Sequence, residues 1–280
     1  MKKVIFFDPT VGTTNLGDYI IMLSIKRHIN ELFANDFVIK LPTRLPLLHF
    51  YQKFKKNILY RTIINADIKL ICGTNLLYTN LFRPWPLLNI NLFDVDLYKG
   101  SILIGVGCGV NSKKSNLYTE YIYKKILRKD VIHSVRDEYT KNFVESLGFQ
   151  AINTGCPTLW SLDDNFCKSV VTQKSEKVVF TLTDYSKDIE KDSLLISKLK
   201  YNYKKVYFWP QGIEDFNYLC YILNGNLSDI QVIPPKLEAF ENILQEGDID
   251  YVGTRLHAGI FALQHKIRTI IISVDYRSSY

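Results

Sequence analysis

The 280-residue sequence lacks the marks of several large protein classes. Its five cysteines, Cys72, Cys108, Cys156, Cys167 and Cys220, are an odd number without a Cys-x-x-Cys pair. Most lie in apolar runs, where a thiol acts as a small buried hydrophobe, so a reducing, cytosolic setting is expected. No stretch approaches the roughly 18 uninterrupted apolar residues that span a bilayer. The N-terminal run Val4-Ile5-Phe6-Phe7 is cut by Asp8-Pro9 after four residues, so a signal peptide is not expected. Long basic runs are missing as well. Lysines come scattered, as at Lys53, Lys55, Lys56 and Lys113, Lys114, with no aromatic interleaving, and nucleic acid is not an expected partner. The Gly-x-Gly-x-x-Gly fingerprint and the Gly-Lys-Ser/Thr of a P-loop are both absent. No His, Cys and Asp cluster has ligand spacing, so no metal is expected.

What is present is a chain long enough for two domains, with an apolar fraction of 47% that allows each a core. A formal charge of +7 suggests anionic substrates or an anionic membrane face. Short apolar runs alternate with helical periodicity throughout. The strands expected in the first half include Val4–Phe7, Ile68–Cys72, Ser101–Gly109, which runs into a glycine-rich turn, Val131–Val135 and Ala151–Thr154; those in the second include Val178–Leu182, Val206–Trp209, Ile230–Ile233, Ile249–Val252 and Thr269–Val274. This pattern predicts an α/β protein of two Rossmann-like, doubly wound parallel-sheet domains, residues 1–160 and 161–280. The polar stretch Ser161–Lys177 is the expected linker. A first helix is expected from Tyr19 to about Ala34. Leu41–Asn65 reads as loop and irregular helix facing the acceptor or a membrane surface, and Arg83-Pro84-Trp85-Pro86 as a surface lobe.

In such sheets ligands lie at the carboxyl ends of the strands. The chain delivers polar groups there in pairs: Asn15 with Asp18, Arg136 with Asp137, Gln211 with Gly212, and Arg255 with His257, while Arg277 follows the last strand. The densest stretch is Ile249 to Ala262, a strand, a turn at Gly253-Thr254 and a helix with Arg255 and His257 in its first turn. Thr254 is the expected N-cap. Free amides, a positive helix end and a guanidinium together make an anion site. The plainer alternatives are a solvated Arg255, a satisfied helix histidine at His257, helix caps at Asp18 and Asp137, and packing roles for Cys108 and Cys156.

The ordered set NLGDYI, GVGCGV, SVRDEYTKNFVESLG, TGCPT, WPQG and GTRLHAGIFAL resembles the polysaccharide pyruvyl transferase family over most of the chain. The resemblance implies a glycosyltransferase-B-like fold. It also implies use of phosphoenolpyruvate to place a pyruvate ketal on a sugar of a bacterial surface polysaccharide or its lipid-linked precursor. By that resemblance Arg255, His257 and Arg136 meet the donor, together with Gly253, Thr254, Arg277 and Gln211. The acceptor falls to Asn15, Gly17 and Asp18, on the N-terminal side. His257 suits the acid that protonates the methylene carbon, and Asp18 or Asp137 the base on the acceptor hydroxyl. No cofactor beyond the donor substrate is expected, and the implied location is cytoplasmic, with peripheral contact at the inner membrane. One departure is that the sequence stops at Tyr280, where relatives usually continue, so a C-terminal helix returning to the first domain is not expected. A nucleotide-sugar glycosyltransferase with Trp209 and Tyr185 stacking the base is the alternative enzyme. A non-catalytic glycan-binding or scaffolding protein is the alternative outside enzymes.

Overall fold

The computed structural model describes residues 1–55, 57–82, 86–109 and 114–274. The chain forms two compact units, Met1–Thr13 with Ile21–Trp160, and Thr14–Ile20 with Ser161–Tyr280. Among the described residues no helix is long and apolar enough to cross a membrane.

Up to Trp160 the elements are β1 (Lys3–Asp8), α1 (Gly17–Ile29), β2 (Phe37–Pro42), α2 (Phe50–Phe54), α3 (Ile58–Ile64), β3 (Ile68–Cys72), β4 (Leu77–Tyr78), α4 (Val95–Tyr98), β5 (Ser101–Ile104), β6 (Cys108–Gly109), α5 (Leu117–Ile126), β7 (Ile132–Val135), α6 (Glu138–Ser146) and β8 (Gln150–Asn153). The sheet runs β2-β1-β3-β5 with every neighbour parallel. Past β5, a parallel bridge between Val106 and Val135 leads to the pair β7–β8, and β4 pairs with β6. β1 shows why its sequence does not alternate. Val4 and Phe6 pack with Ile21, Met22 and Ile25 of α1, whereas Ile5 and Phe7 face Ile71, Tyr98 and Leu103 on the other side. A parallel strand covered on both faces has no polar face to present.

Several local expectations need correction. α1 ends at Ile29, and the residues to Ala34 form a 3-10 turn instead. β2 is an unexpected strand: an edge, with Phe37 and Val38 exposed, it is held by backbone pairing to β1 rather than by a buried face. The stretch read as irregular contains two helices, α2 and α3. Gln52 caps the His49 amide at 2.8 Å, and Asn57 accepts from the Tyr60 amide at 2.8 Å. Of the expected lobe at 83–86, only Pro86 lies among the described residues.

The second unit contains α7 (Asp164–Lys168), β9 (Lys177–Thr181), α8 (Ile189–Asn202), β10 (Lys205–Phe208), α9 (Asp215–Ile222), β11 (Gln231–Val232), α10 (Leu237–Gln245), β12 (Ile249–Gly253), α11 (Leu256–Gln264) and β13 (Thr269–Ile271). α7 sits inside the expected linker, capped by Asp163. The sheet order is β11-β10-β9-β12-β13, all parallel. By position in the chain this is third, second, first, fourth, fifth, so the winding reverses between β9 and β12. Val178, Phe180, Phe208 and Val252 fill one face with Ile196, Leu199, Tyr218 and Leu219 from α8 and α9.

Thr14–Ile20 groups with this second unit, although in sequence it falls in the first half. Backbone bonds explain it. Asn15 bridges Gly212 in antiparallel fashion, the Leu16 amide donates to the Gln211 carbonyl at 2.8 Å, and the Ile213 amide donates to the Thr14 carbonyl at 3.0 Å.

Candidate functional site

Three strand ends of the second unit meet at the reversal point: the residues after β9, after β10 and after β12. A buried carboxylate ties them together. Asp215, fully buried in the first turn of α9, accepts from the amides of Gln211 (3.1 Å), Gly212 (2.7 Å) and Asp184 (3.2 Å). It also accepts from Arg255, through Nε at 3.0 Å and through Nη2. The same guanidinium donates from Nε to the Leu182 carbonyl at 3.1 Å and from Nη2 to Asp184 at 2.5 Å, and lies over the Tyr185 ring at 4.9 Å. Gly212 leaves room for it, because a Cβ there would strike Arg255. Burial pushes the Asp215 carboxyl up, against the opposing pull of Arg255. Burial also opposes the charge on Arg255, but Asp215 more than compensates and leaves the guanidinium raised.

This arrangement corrects the reading of the β12–α11 turn. The N-cap is Arg255, with no side-chain cap bond, and not Thr254. Thr254 instead points its hydroxyl at Thr183, 2.8 Å away. Its amide donates to the Thr181 carbonyl at 3.2 Å, and the Arg255 amide to the Thr181 hydroxyl at 3.3 Å. The amides of Thr254 and Arg255 are therefore occupied. Gly253 serves packing, since a Cβ would collide with Thr181. Nε and Nη2 of Arg255 are likewise committed to protein oxygens, so the residue holds the site's frame.

Beside this frame four of the singled-out residues converge. The position of a Cβ on Gly17 would lie 3.0 Å from Gln211 Nε2 and 3.1 Å from both Asn15 Oδ1 and His257 Nδ1. Asn15 Oδ1 accepts from the Gly17 amide at 2.9 Å and from Gln211 Nε2 at 2.8 Å. The backbone amide can only donate, which fixes the Asn15 atom as oxygen and its Gln211 partner as nitrogen. Gln211 Oε1 is buried with no hydrogen-bond partner among the described residues. His257, the second residue of α11, is 8% exposed. Asp18, the second residue of α1, is 3% exposed, and its amide donates to the Asn15 carbonyl at 3.1 Å.

Arg136 and Asp137 belong to a separate cluster in the first unit. Arg136, after β7, donates through Nη2 to Asn75, which follows β3, and its Nε lies 3.6 Å from Asp137 Oδ2. Gly107 has no side chain to obstruct that contact. Asp137 is the N-cap of α6, accepting from the Thr140 amide at 2.7 Å and the Thr140 hydroxyl at 2.6 Å. The capping alternative is what its geometry shows. Cys108 is buried nearby, and burial pushes its thiol up to about 12, which suits packing rather than nucleophilic attack. Cys156, half-buried, has Sγ 3.2 Å from the Thr158 hydroxyl. Arg277 lies outside the described residues.

The model of the polysaccharide pyruvyl transferase family matches residues 15–276. The chain belongs to that family. The match begins at Asn15, the first residue of the loop that reaches Gln211 and His257. No curated protein matches the chain significantly. Solved structures similar to it include an S. aureus MnaA–UDP co-structure, at 11% identity and a TM-score of 0.49, covering 92% of this chain and 75% of that one. Another is the UDP-GlcNAc 2-epimerase of Methanocaldococcus jannaschii in complex with UDP-GlcNAc and UDP, at 12% identity and a TM-score of 0.43, covering 92% of this chain and 79% of that one.

The base-stacking surface imagined for a nucleotide sugar is not available at Trp209. That ring is fully buried, stacked on Phe240 at 4.1 Å, with Nε1 donating to the Lys236 carbonyl at 3.3 Å. Tyr185 is exposed but lies over Arg255. The sequence reading missed Asp215, Asp184 and Asn75 as organisers. An aspartate in a helix first turn looks like an ordinary dipole partner, and only the meeting of three strand ends distinguishes Asp215.

Proposed function

We propose that the protein transfers the pyruvyl group of phosphoenolpyruvate to two hydroxyls of one sugar, in a bacterial surface polysaccharide or its lipid-linked precursor. The observation carrying this reading is the convergence of Asn15, Gly17, Gln211 and His257 at the strand ends of the second unit, within the residues matched to the family.

In this scheme the imidazolium of His257 gives a proton to the methylene carbon, which becomes the methyl group. The electron-poor central carbon accepts one sugar hydroxyl, whose proton passes to Asp18. Phosphate then leaves with the electron pair of its bond to that carbon, and the second hydroxyl closes the ketal. Of the two hydroxyl protons, one replaces that used on carbon and the other leaves with phosphate. The sequence is redox-neutral and calls for no redox cofactor. Phosphate beside His257 favours the imidazolium, outweighing the half-positive start of α11. Arg255 acts here as a positioning residue through Asp215 and Asp184. Asp137, engaged as a helix cap, drops out as base. Acceptor encounter takes place at the cytoplasmic face of the inner membrane.

The test is phosphate release from phosphoenolpyruvate with sugar acceptors present. His257→Ala should lower turnover by roughly two to four decades. An unaltered rate in that variant would remove His257 from the chemistry. Melting-temperature stabilisation by nucleoside diphosphate but not by phosphoenolpyruvate would replace the donor in this reading.

A further inference from the structure

In the first unit α1 covers β1 and β3, where its Ile21, Met22, Ile25 and Ile29 pack with Val4, Phe6, Leu70 and Cys72. The edge strand β2 adds no buried residue to that layer, and its Val38 and Lys40 stand exposed. Beside the helix, over the face of β2, lies a groove of about 430 Å³ whose lining includes Phe6, Lys26, Asn30, Phe33, Val38 and Lys40. That volume is in the range of small-molecule sites. Two lysines dominate its polar side. Lys40 pairs with Phe6 in the β1–β2 register, so its side chain rises on the α1 face of the sheet. Lys26 stands in the last turn of α1, and its amine is within hydrogen-bonding reach of the Lys40 amine.

Ammonium groups carry donors alone, so neither lysine can satisfy the other. Burial, and then the Lys40 amine, lower the pKa of Lys26, while Asp8 opposes them. The relief from Asp8 is partial. Its Oδ1 already accepts from the Thr10 amide at 2.9 Å and the Thr10 hydroxyl at 2.6 Å, and its Oδ2 is 3.9 Å from Lys26 Nζ. Among the described residues no acid lines the groove. The lysine pair lacks a shared acceptor, and a phosphate group brings several acceptor oxygens with a charge of about −1.5 to −2 at neutral pH. The other side of the groove is apolar, with Phe33 edge-on to Phe6 at 5.8 Å between ring centroids and Val38 in the same lining. We infer that the groove binds a small phosphate monoester, its phosphate bridging the Lys26 and Lys40 amines and its organic group lying against Phe33 and Val38. None of these residues has a role in the proposed pyruvyl transfer, so the inference stands independently of it.

The experiment is titration calorimetry of the full chain with phenyl phosphate, with inorganic phosphate and phenol in parallel. Phenyl phosphate should bind more tightly than inorganic phosphate, and phenol should not bind. Lys40→Gln removes one charged hydrogen bond and should weaken phenyl phosphate by about tenfold. Lys40→Glu should abolish that binding and also raise the melting temperature, because glutamate supplies the acceptor that the Lys26 amine lacks; a variant that had merely damaged the fold would melt earlier. On the unaltered chain, phenyl phosphate should slow acetylation of Lys26 and Lys40 by acetic anhydride, read by mass spectrometry, while exposed lysines elsewhere react as before. Each of four results would overturn the inference: no binding of phenyl phosphate, equal affinity for inorganic phosphate, undiminished binding by Lys40→Glu, or acetylation of the two lysines indifferent to the ligand. The last two would assign any phosphate uptake to another part of the chain.

Discussion

Replacing Asp215 with Ala tests whether the Asp215–Arg255 pair is the frame of the site. The substitution removes the acceptor of five hydrogen bonds and leaves a guanidinium of 3% exposure with Asp184, Leu182 and the face of Tyr185 as its partners among the described residues. Removing one partner of a buried ion pair costs about 3–5 kcal/mol. At roughly 2–4 °C per kcal/mol, the melting temperature should fall by about 10 °C. Arg255→Met should destabilise for the reciprocal reason. The double variant should recover part of the loss, giving a coupling on the order of 2 kcal/mol in urea unfolding. Arg255→Lys separates a frame from a ligand clamp. Lysine keeps the charge but cannot reach both Asp215 oxygens in parallel, so it should lower stability and turnover together. If Asp215→Ala melts within about 2 °C of the parent and Arg255→Lys raises only the Michaelis constant for phosphoenolpyruvate, the frame argument is wrong.

Gly17→Ala places a methyl group about 3 Å from three polar atoms, a contact that forces a shift of a few tenths of an ångström. Turnover should drop by roughly tenfold with little change in melting temperature, and full activity would show that His257 needs no fixed place against the loop. Gln211→Leu should raise the Michaelis constant for the sugar more than that for phosphoenolpyruvate. Its Oε1 can only accept a hydrogen bond, and the ionised phosphoenolpyruvate has no donor to offer it, whereas a sugar hydroxyl has. That split would place Gln211 on the acceptor side, and the opposite split would keep it on the donor side. His133 is buried, accepts the Leu103 amide at Nδ1 and faces the Arg128 carbonyl with Nε2, and burial lowers its pKa. The unfolded chain binds this proton more readily, so stability is full above the unfolded value of about 6.5 and is lost as pH falls from there through the folded value. Melting curves between pH 7 and pH 5 should show a smaller drop in His133→Gln than in the parent.

The alternation of strand and helix was legible because a strand buried on both faces must be largely apolar, as Val4–Phe7 and Val178–Phe180 are. β2 was illegible for the converse reason: an exposed edge strand is selected by its backbone register, and Phe37, Val38 and Lys40 carry no period-2 signal. At the site, residue type and position at a strand end identified Asn15, Gln211, Arg255 and His257. They did not reveal what each touches. Arg255 looked like an anion clamp because a guanidinium after a strand and before a helix has that capacity; whether it is spent on a ligand or on the protein depends on Asp215, forty residues away in sequence. Grouping Thr14–Ile20 with the first half failed similarly, since nothing in Asn-Leu-Gly-Asp states that its backbone pairs with Gln211 and Gly212. The pairing has a chemical consequence. A loop from the start of the chain is hydrogen-bonded to the rim of the second sheet, so the acceptor contacts assigned to Asn15 and Gly17 and the acid assigned to His257 lie in one compact unit. In the proposed reaction, proton delivery and hydroxyl recognition at these residues would require no rearrangement of one relative to the other.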